Sequence, residues 1–338
     1  MNARQDTVLV VGGAGYIGSH TVRVMADLGR RVVVLDNLST GHAQAVQKAP
    51  LVVGDAGDVR LVAQLVREHA VRWVIHFASF SQVGQSVADP ALYYQNNVAR
   101  TVDLLYALCH AGVRGFVFSS TAAIFGDPVT ELIDEAHPKN PVNPYGRTKL
   151  LIEQMLGDLE RAHGLRSVCL RYFNAAGAHP DGSLGEWHEP ESHLIPLAIM
   201  AALGQRGPLQ VYGSDYPTPD GTCIRDYVHV MDLALAHVQA LDRLAEGGGS
   251  DAFNLGNGAG YSVRQVLDIV GALAGRPVPA EWTGRRPGDP PRLVADAARA
   301  RDMLGWQPRY PDLRDIVAHA WRWHAGCGLG ARASRPQK

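Results

Sequence analysis

The chain of 338 residues is 46% hydrophobic and carries 32 Lys+Arg against 33 Asp+Glu, a formal net charge of -1. That much apolar material suffices for a sizeable core in two compact units. The even charge excludes the strong positive field expected of a nucleic-acid or membrane-surface binder.

The longest apolar runs, such as Val8–Val11 and Val32–Leu35, fall far short of the roughly 20 residues a membrane helix needs. The N-terminus runs straight into a strand without the apolar segment and cleavage site of a secretion signal, so cytoplasmic residence is expected. Cys109, Cys169, Cys223 and Cys327 are widely spaced and form no Cys-x-x-Cys pair, which suits structural thiols and not a disulfide framework or zinc ribbon.

In chain order, short runs rich in β-branched or aromatic residues predict strands at Thr7–Val11, Arg31–Leu35, Leu51–Val53, Trp73–Phe77, Phe116–Ser119 and Ser167–Tyr172. Between them, helical spacing marks Ser19–Leu28, Val59–Glu68, Asn97–His110 and Tyr145–His163. In the last of these, Ile152, Met155, Leu156 and Leu159 form one stripe. Such alternation predicts an α/β fold with a doubly wound parallel sheet. From about Asn174 onward, Pro and Gly break the rhythm, and a second, smaller unit is expected. Arg225–Leu244 resumes a strand-then-helix pattern, and Gly247-Gly248-Gly249-Ser250 reads as a flexible loop.

The first predicted strand leads directly into Gly12-Gly13-Ala14-Gly15-Tyr16-Ile17-Gly18, and a helical stretch begins at once. Glycines permit the tight turn and close backbone approach, while the free N–H groups and positive dipole end of the helix attract a diphosphate. Asp36 ends the second strand, where a carboxylate accepts from adenosine ribose hydroxyls and repels a 2′-phosphate, favouring NAD over NADP. Asp55, after the third strand, is placed either to reach the adenine or to cap the next helix. The expected organisation is a Rossmann-type NAD-binding unit over residues 1–175, with 225–245 returning to it. A smaller C-terminal α/β substrate unit over 176–325 and a disordered tail over 326–338 follow.

Tyr145 and Lys149, four apart at a helix start, share one face. Upstream, the apolar strand Phe116-Val117-Phe118 ends in the hydroxyls Ser119, Ser120 and Thr121, and strand ends in such sheets face the cofactor crevice. A lysine ammonium and the positive charge of a nicotinamide both favour phenolate, so Tyr145 is the candidate general base near neutral pH, with Thr121 bonding the reacting hydroxyl.

The glycine turn, the Ser-Ser-Thr strand end and Tyr-x-x-x-Lys resemble the extended short-chain dehydrogenase/reductase superfamily. Further segments resemble the UDP-glucose 4-epimerases within it, in order and spacing. They are Asp36-Asn37-Leu38, His76-Phe77-Ala78, Val83–Val87, Tyr93–Asn97, Arg171-Tyr172-Phe173-Asn174, Gly221–Val230 and Arg285-Arg286-Pro287-Gly288-Asp289. The resemblance runs from about Val8 to His324. It implies that Tyr16, Ile17, Asn37, Phe77, Ala78 and Asn96 also contact NAD, with Phe173 beside the nicotinamide. Ser81, where the family often has lysine, and Phe125, where it often has tyrosine, depart from the pattern.

On the substrate side, Arg225 and Arg286 offer guanidinium forks suited to a diphosphate, and Asn174 adds neutral donors. The resemblance implies that Asp289 receives the uridine ribose, that the stretch around Tyr212 meets uracil, and that His193-Leu194 helps close the site. It further implies interconversion of UDP-glucose and UDP-galactose. Tyr145 takes the 4-hydroxyl proton while NAD accepts hydride from carbon 4, and hydride then returns to the opposite face of the ketone.

The Ala122-Ala123 that follows Thr121 argues against the sugar dehydratases, which carry an acid pair there. Epimerases of UDP-N-acetylhexosamines or UDP-pentoses stay open, because Leu293, at the position of the family's gate residue, is intermediate in size. A non-catalytic NAD sensor is the alternative of another class, against which Thr121, Tyr145 and Lys149 speak. A homodimer is expected through the helices Asn97–His110 and Tyr145–His163, with Val98, Val102 and Leu105 as the apolar stripe. His188-Glu189-Pro190-Glu191-Ser192-His193 resembles a zinc-protease helix, but its histidines are five apart and Pro190 interrupts, so no metal site is expected. His76 and His229, at strand ends in apolar context, read as packed structural histidines.

Overall fold

The computed structural model describes residues 6–286 and 288–326; the expected tail beyond Gly326 lies outside the described residues, as does Pro287. Its first half alternates as follows: β1 (Thr7–Val11), α1 (Tyr16–Asp27), β2 (Arg31–Asp36), β3 (Leu51–Val53), α2 (Val59–Glu68), β4 (Val71–His76), α3 (Val83–Ala88), α4 (Pro90–Tyr93), α5 (Arg100–His110), β5 (Gly115–Thr121), α6 (Pro144–His163) and β6 (Arg166–Tyr172). All six strands pair in parallel. Successive residues of β1 feed opposite faces: Val8 and Val10 pack with Met25 of α1, and Leu9 and Val11 with Leu65 of α2 and Leu104 of α5. A sheet covered on both sides needs such an unbroken apolar run.

Local signals explain the boundaries. Asn143 caps α6 by accepting from the Gly146 N–H at 2.8 Å, Pro144 supplies the first helical residue, and Gly164 ends the helix in the left-handed region at φ 70°. Asp58 caps α2, so the capping alternative for Asp55 does not hold; Asp55 instead accepts from the Gly57 N–H and pairs with Arg100. The helix expected from Asn97 begins as a π-turn over Tyr94–Ala99, a type of distortion that recurs at functional sites.

The second half contains β7 (Asn174–Ala176), α7 (Leu194–Ala202), β8 (Leu209–Tyr212), β9 (Ile224–Arg225), β10 (Tyr227–His229), α8 (Val230–Ala245), β11 (Asp251–Leu255), β12 (Tyr261–Ser262), α9 (Val263–Ala274), β13 (Ala280–Thr283), β14 (Arg292–Leu293), α10 (Ala298–Leu304) and α11 (Leu313–Gly326). Leu233, Ala236 and Leu241 of α8 share a core cluster with Val22 and Met25 of α1. Strand β11, which the sequence reading left unassigned, completes a seven-stranded sheet in the order β11-β6-β5-β4-β1-β2-β3. A separate core gathers Ile195 and Ile199 of α7, Val266 and Val270 of α9, and Ile316 and Val317 of α11. Because every strand of the large sheet points the same way, the glycine turn, Asp36, His76, Thr121 and Tyr172 all lie along one edge, where α/β sheets bind ligands.

Among the described residues, no helix is long and apolar enough to cross a membrane. The α5 stripe divides differently from expectation. Leu105 is 1% exposed and packs inward with Val62 and Phe116, whereas Val102 and Tyr106 face outward at 41% and 56%.

Candidate active site

The glycine turn is built around close backbone contacts. Gly12 sits at φ 82°, and a Cβ there would meet the Ala78 nitrogen at 2.4 Å; a Cβ on Gly18 would meet the Gly12 carbonyl oxygen at 2.2 Å. Helix α1 starts from Gly15 with no side-chain cap, leaving its first-turn N–H groups for an anion. Asp36 is buried beside it and accepts from the Ala14 N–H at 2.9 Å and the Leu38 N–H at 2.8 Å. It therefore clamps the turn to the end of β2, and its remaining lone pairs stay available to ribose hydroxyls.

Asn37, Ser39, Phe80, Asn96 and Arg100 line an adjacent cleft of about 130 Å³. Phe77 and Ala78 both donate their N–H groups to the Val11 carbonyl, and the Phe77 ring packs 4.6 Å from His237. These glycines and acceptors fit a dinucleotide: space a Cβ would fill, free donors at a helix start, and a carboxylate at the strand end.

Thr121 ends β5, and its hydroxyl is hydrogen-bonded to the Tyr145 phenol and accepts from the Ala123 N–H at 3.2 Å. The Tyr145 ring stands edge-on to Tyr93, with centroids 6.5 Å apart. Lys149, one turn on, donates to the Ser79 hydroxyl at 2.9 Å and the Ser119 carbonyl at 2.7 Å, with its Nζ 6.0 Å from the centre of the Tyr145 ring. Burial pushes the Tyr145 phenol up to about 12 against the Thr121 hydrogen bond, which pulls it down. Burial likewise pushes the Lys149 ammonium down to about 7, opposed by Glu153. In the chain by itself Tyr145 is thus a neutral phenol. The sequence reading made it a base near neutrality with the nicotinamide charge beside it; in the chain alone burial dominates, and the lysine is aimed at Ser79 and Ser119.

One turn beyond Lys149, Glu153 accepts from Arg171 Nε at 3.0 Å and Nη2 at 2.6 Å, and from the Ser120 hydroxyl. Both side chains of this ion pair are buried. His76 is packed between Phe116 and Phe118, with Nε2 3.1 Å from the Thr101 hydroxyl, and burial lowers it to about 3. His229 is equally buried against His319, and burial lowers it to about 3. Both are neutral packing groups.

On the facing side, Arg225 and Asp289 pair with each other, and Arg286 stacks over Tyr212 with its guanidinium carbon 4.5 Å from the ring centre. These four groups are therefore engaged among themselves, and a diphosphate or base entering here exchanges for contacts already made. Tyr216, Arg286, Asp289 and Asp127, the last from the segment after Thr121, border a cleft of about 340 Å³. Leu293 lies opposite Arg225 in the β14–β9 ladder and packs in one cluster with Ala122, Phe125 and Phe173. That contact ties the arginine strand to the Thr121 edge. Asn174 begins β7 beside Tyr227, and its N–H donates to the Asp226 carbonyl at 2.9 Å. His193 stands at the N-cap of α7, and Leu194 is its first residue.

The chain matches the NAD dependent epimerase/dehydratase family over residues 8–256. It is 52% identical to a UDP-glucose 4-epimerase of Rhizobium leguminosarum bv. trifolii over 320 residues, 95% of this chain and 98% of that protein. The chain belongs to the UDP-glucose 4-epimerase family. The crystal structure of a UDP-glucose 4-epimerase from Brucella ovis in complex with NAD superimposes with a TM-score of 0.92 at 52% identity, covering 94% of this chain and 97% of that one. One from Bifidobacterium longum in complex with NAD+ and UDP does so with a TM-score of 0.90 at 38% identity, covering 95% and 98%.

Several groups in this NAD-dependent epimerase escaped the sequence reading. Ser79 and the Ser119 carbonyl hold Lys149, and Glu153 with Arg171 backs it from the next turn; the i, i+4 spacing of Lys149 and Glu153 was the available signal. The segment set aside as a failed zinc helix is irregular, as Pro190 requires, yet its loop brings Glu186, His188, Glu191 and His193 together. The glycine contacts set a further expectation. In Gly18→Ala, the added methyl collides with backbone at Gly12 and Gly13, and 1–3 kcal/mol of strain lowers retained NAD by about tenfold or more. NAD released on denaturing the purified variant measures this.

Proposed function

We propose that this epimerase interconverts UDP-glucose and UDP-galactose through transient oxidation at sugar carbon 4. The observation that carries the reading is the Thr121–Tyr145–Lys149 arrangement at the same sheet edge as the glycine turn, joined through the Leu293 cluster to Arg225. When bound, NAD supplies the hydride acceptor and a positive ring charge at this edge.

Tyr145 holds and returns the proton of the 4-hydroxyl, Thr121 orients that hydroxyl, and Lys149 stands beside the phenol, held by Ser79 and the Ser119 carbonyl. Phe173 supports the nicotinamide side. Gly12, Gly15, Tyr16, Ile17 and Gly18 cradle the NAD diphosphate, and Asp36, Asn37, Asp55, Phe77, Ala78 and Asn96 its adenosine half. Arg225 and Arg286 hold the UDP diphosphate with Asn174, Asp289 the ribose, Tyr212 the uracil, and His193 with Leu194 the closing side. Residues 1–175 with 225–245 serve NAD, and 176–325 serve the UDP-sugar. The test is direct: purified protein given UDP-galactose yields UDP-glucose without added reductant, and failure to do so removes the reading. A panel including UDP-N-acetylglucosamine and a UDP-pentose then reads the gate at Leu293, which is partly buried against the Ile124–Phe125–Ile133 cluster that Phe173 also meets.

An apolar outward face on α5 and α6 supports a homodimer. Val102, Tyr106 and Leu151 are exposed there at 41%, 56% and 43%, an apolar surface suited to a two-fold partner. We expect Val102→Asp with Tyr106→Asp to shift the sedimenting species from dimer to monomer. The free thiols Cys109, Cys169 and Cys223 suit a reducing compartment, in keeping with the cytoplasm.

A further inference from the structure

Between β7 and α7 the chain winds without regular structure, and Glu186, His188, Glu191 and His193 turn their side chains toward one point. The four donor atoms lie within 4.8 Å of one another, close enough for one small ion to draw them together. His193 Nδ1 is 2.7 Å from Glu186 Oε1 and 3.2 Å from Glu191 Oε1, while His188 Nδ1 is 3.3 Å from Glu186 Oε1 and 3.7 Å from Glu191 Oε2. Nitrogen and oxygen ligands at about 2.0–2.2 Å around a tetrahedral zinc ion are separated by roughly 3.3–3.6 Å.

The environment points the same way. The Glu186 and Glu191 side chains are only 4% and 7% exposed, so two carboxylates are withdrawn from water side by side. Buried charges of one sign are costly unless positive charge compensates them; the His188 and His193 imidazoles contact both carboxylates, and a divalent ion would supply that charge at the same point. His188 Nδ1 is itself buried and makes no aligned hydrogen bond, although Glu186 is within reach.

We propose that Glu186, His188, Glu191 and His193 form a site for a four-coordinate divalent transition metal of the zinc class. Four protein donors leave no open position, which makes the ion structural and not catalytic. It fastens the loop that precedes α7 beside the first turn of α1: the Tyr16 ring lies 6.2 Å from His188, and the Tyr16 hydroxyl donates to the Gly177 carbonyl at 2.7 Å. This departs from the sequence reading, which expected no metal site because the motif cannot form a zinc helix; here the donors come from a loop and include Glu186 upstream of the motif.

The test uses the untagged full-length protein, stripped with a chelator and titrated with Co²⁺ as a spectroscopic probe. The expected result is one equivalent bound with the strong visible absorption of a tetrahedral centre, displaced by Zn²⁺, and a melting temperature that rises with added Zn²⁺. His188→Gln and, as a second variant whose side chain keeps its shape, Glu191→Gln each weaken Co²⁺ binding by at least the 10–100-fold that loss of an outer-shell partner costs. Absence of uptake, the weak absorption of a six-coordinate ion, or undiminished uptake in both folded variants overturns the proposal.

Discussion

Tyr145→Phe is expected to lower turnover of UDP-galactose by about 10²–10⁴-fold, the usual contribution of a positioned acid–base group. The phenol oxygen meets Thr121, and the ring is held edge-on by Tyr93, so removing the hydroxyl leaves the packing in place. NAD content and melting temperature should therefore match those of the parent, which separates a chemical defect from a folding one. Because burial holds the Tyr145 phenol at about 12 in the chain alone, proton transfer depends on charge brought to the site. A variant that keeps the full rate removes Tyr145 from the role of base.

Glu153→Ala is the substitution expected to damage stability most. It strips the carboxylate from a guanidinium that is 6% exposed, and breaking a buried pair from one side costs about 3–5 kcal/mol. For a chain of this size the melting temperature falls by on the order of 10 °C. The same change removes the carboxylate that supports the Lys149 ammonium, so activity per folded molecule falls as well. The double variant Glu153→Leu with Arg171→Met leaves no orphaned charge, and most of the stability should return while activity does not. Thermal melts of the parent and the two variants decide this. A double variant no more stable than Glu153→Ala would show that packing, and not the unpaired charge, sets the loss.

What sequence could reveal depended on where each signal was stored. The strands from Thr7–Val11 to Arg166–Tyr172 were legible because a parallel sheet buried on both faces demands unbroken apolar runs. Tyr145 and Lys149 were legible because helical spacing alone puts them on one face. Strand β11 was not: Asp251-Ala252-Phe253-Asn254-Leu255 has no β-branched run, and its partner β6 lies far back in the chain. That Leu105 packs inward while Val102 faces outward was not legible, because residues at this spacing can share a face or divide between core and surface according to what the helix packs on. The cluster at Glu186 was hidden because its members follow no period; a loop path, not a repeat, assembles them. The pairing of Arg225 with Asp289 likewise joins residues from separate segments, each of which was read as a contact for substrate.

The position of β11 at the end of the sheet has a consequence for how the molecule comes into being. On the ribosome β6 emerges with β5 as its only neighbour, and its outer backbone groups wait for a strand not yet made. Roughly 80 residues separate the two, so at synthesis rates of about 5–20 residues per second the open edge persists for about 4–16 s. During that interval the nascent chain offers a template to any other extended segment. Helix α8, translated just before β11, arrives first to cover the neighbouring apolar face, so the second half of the chain acts as a delayed clasp on the first.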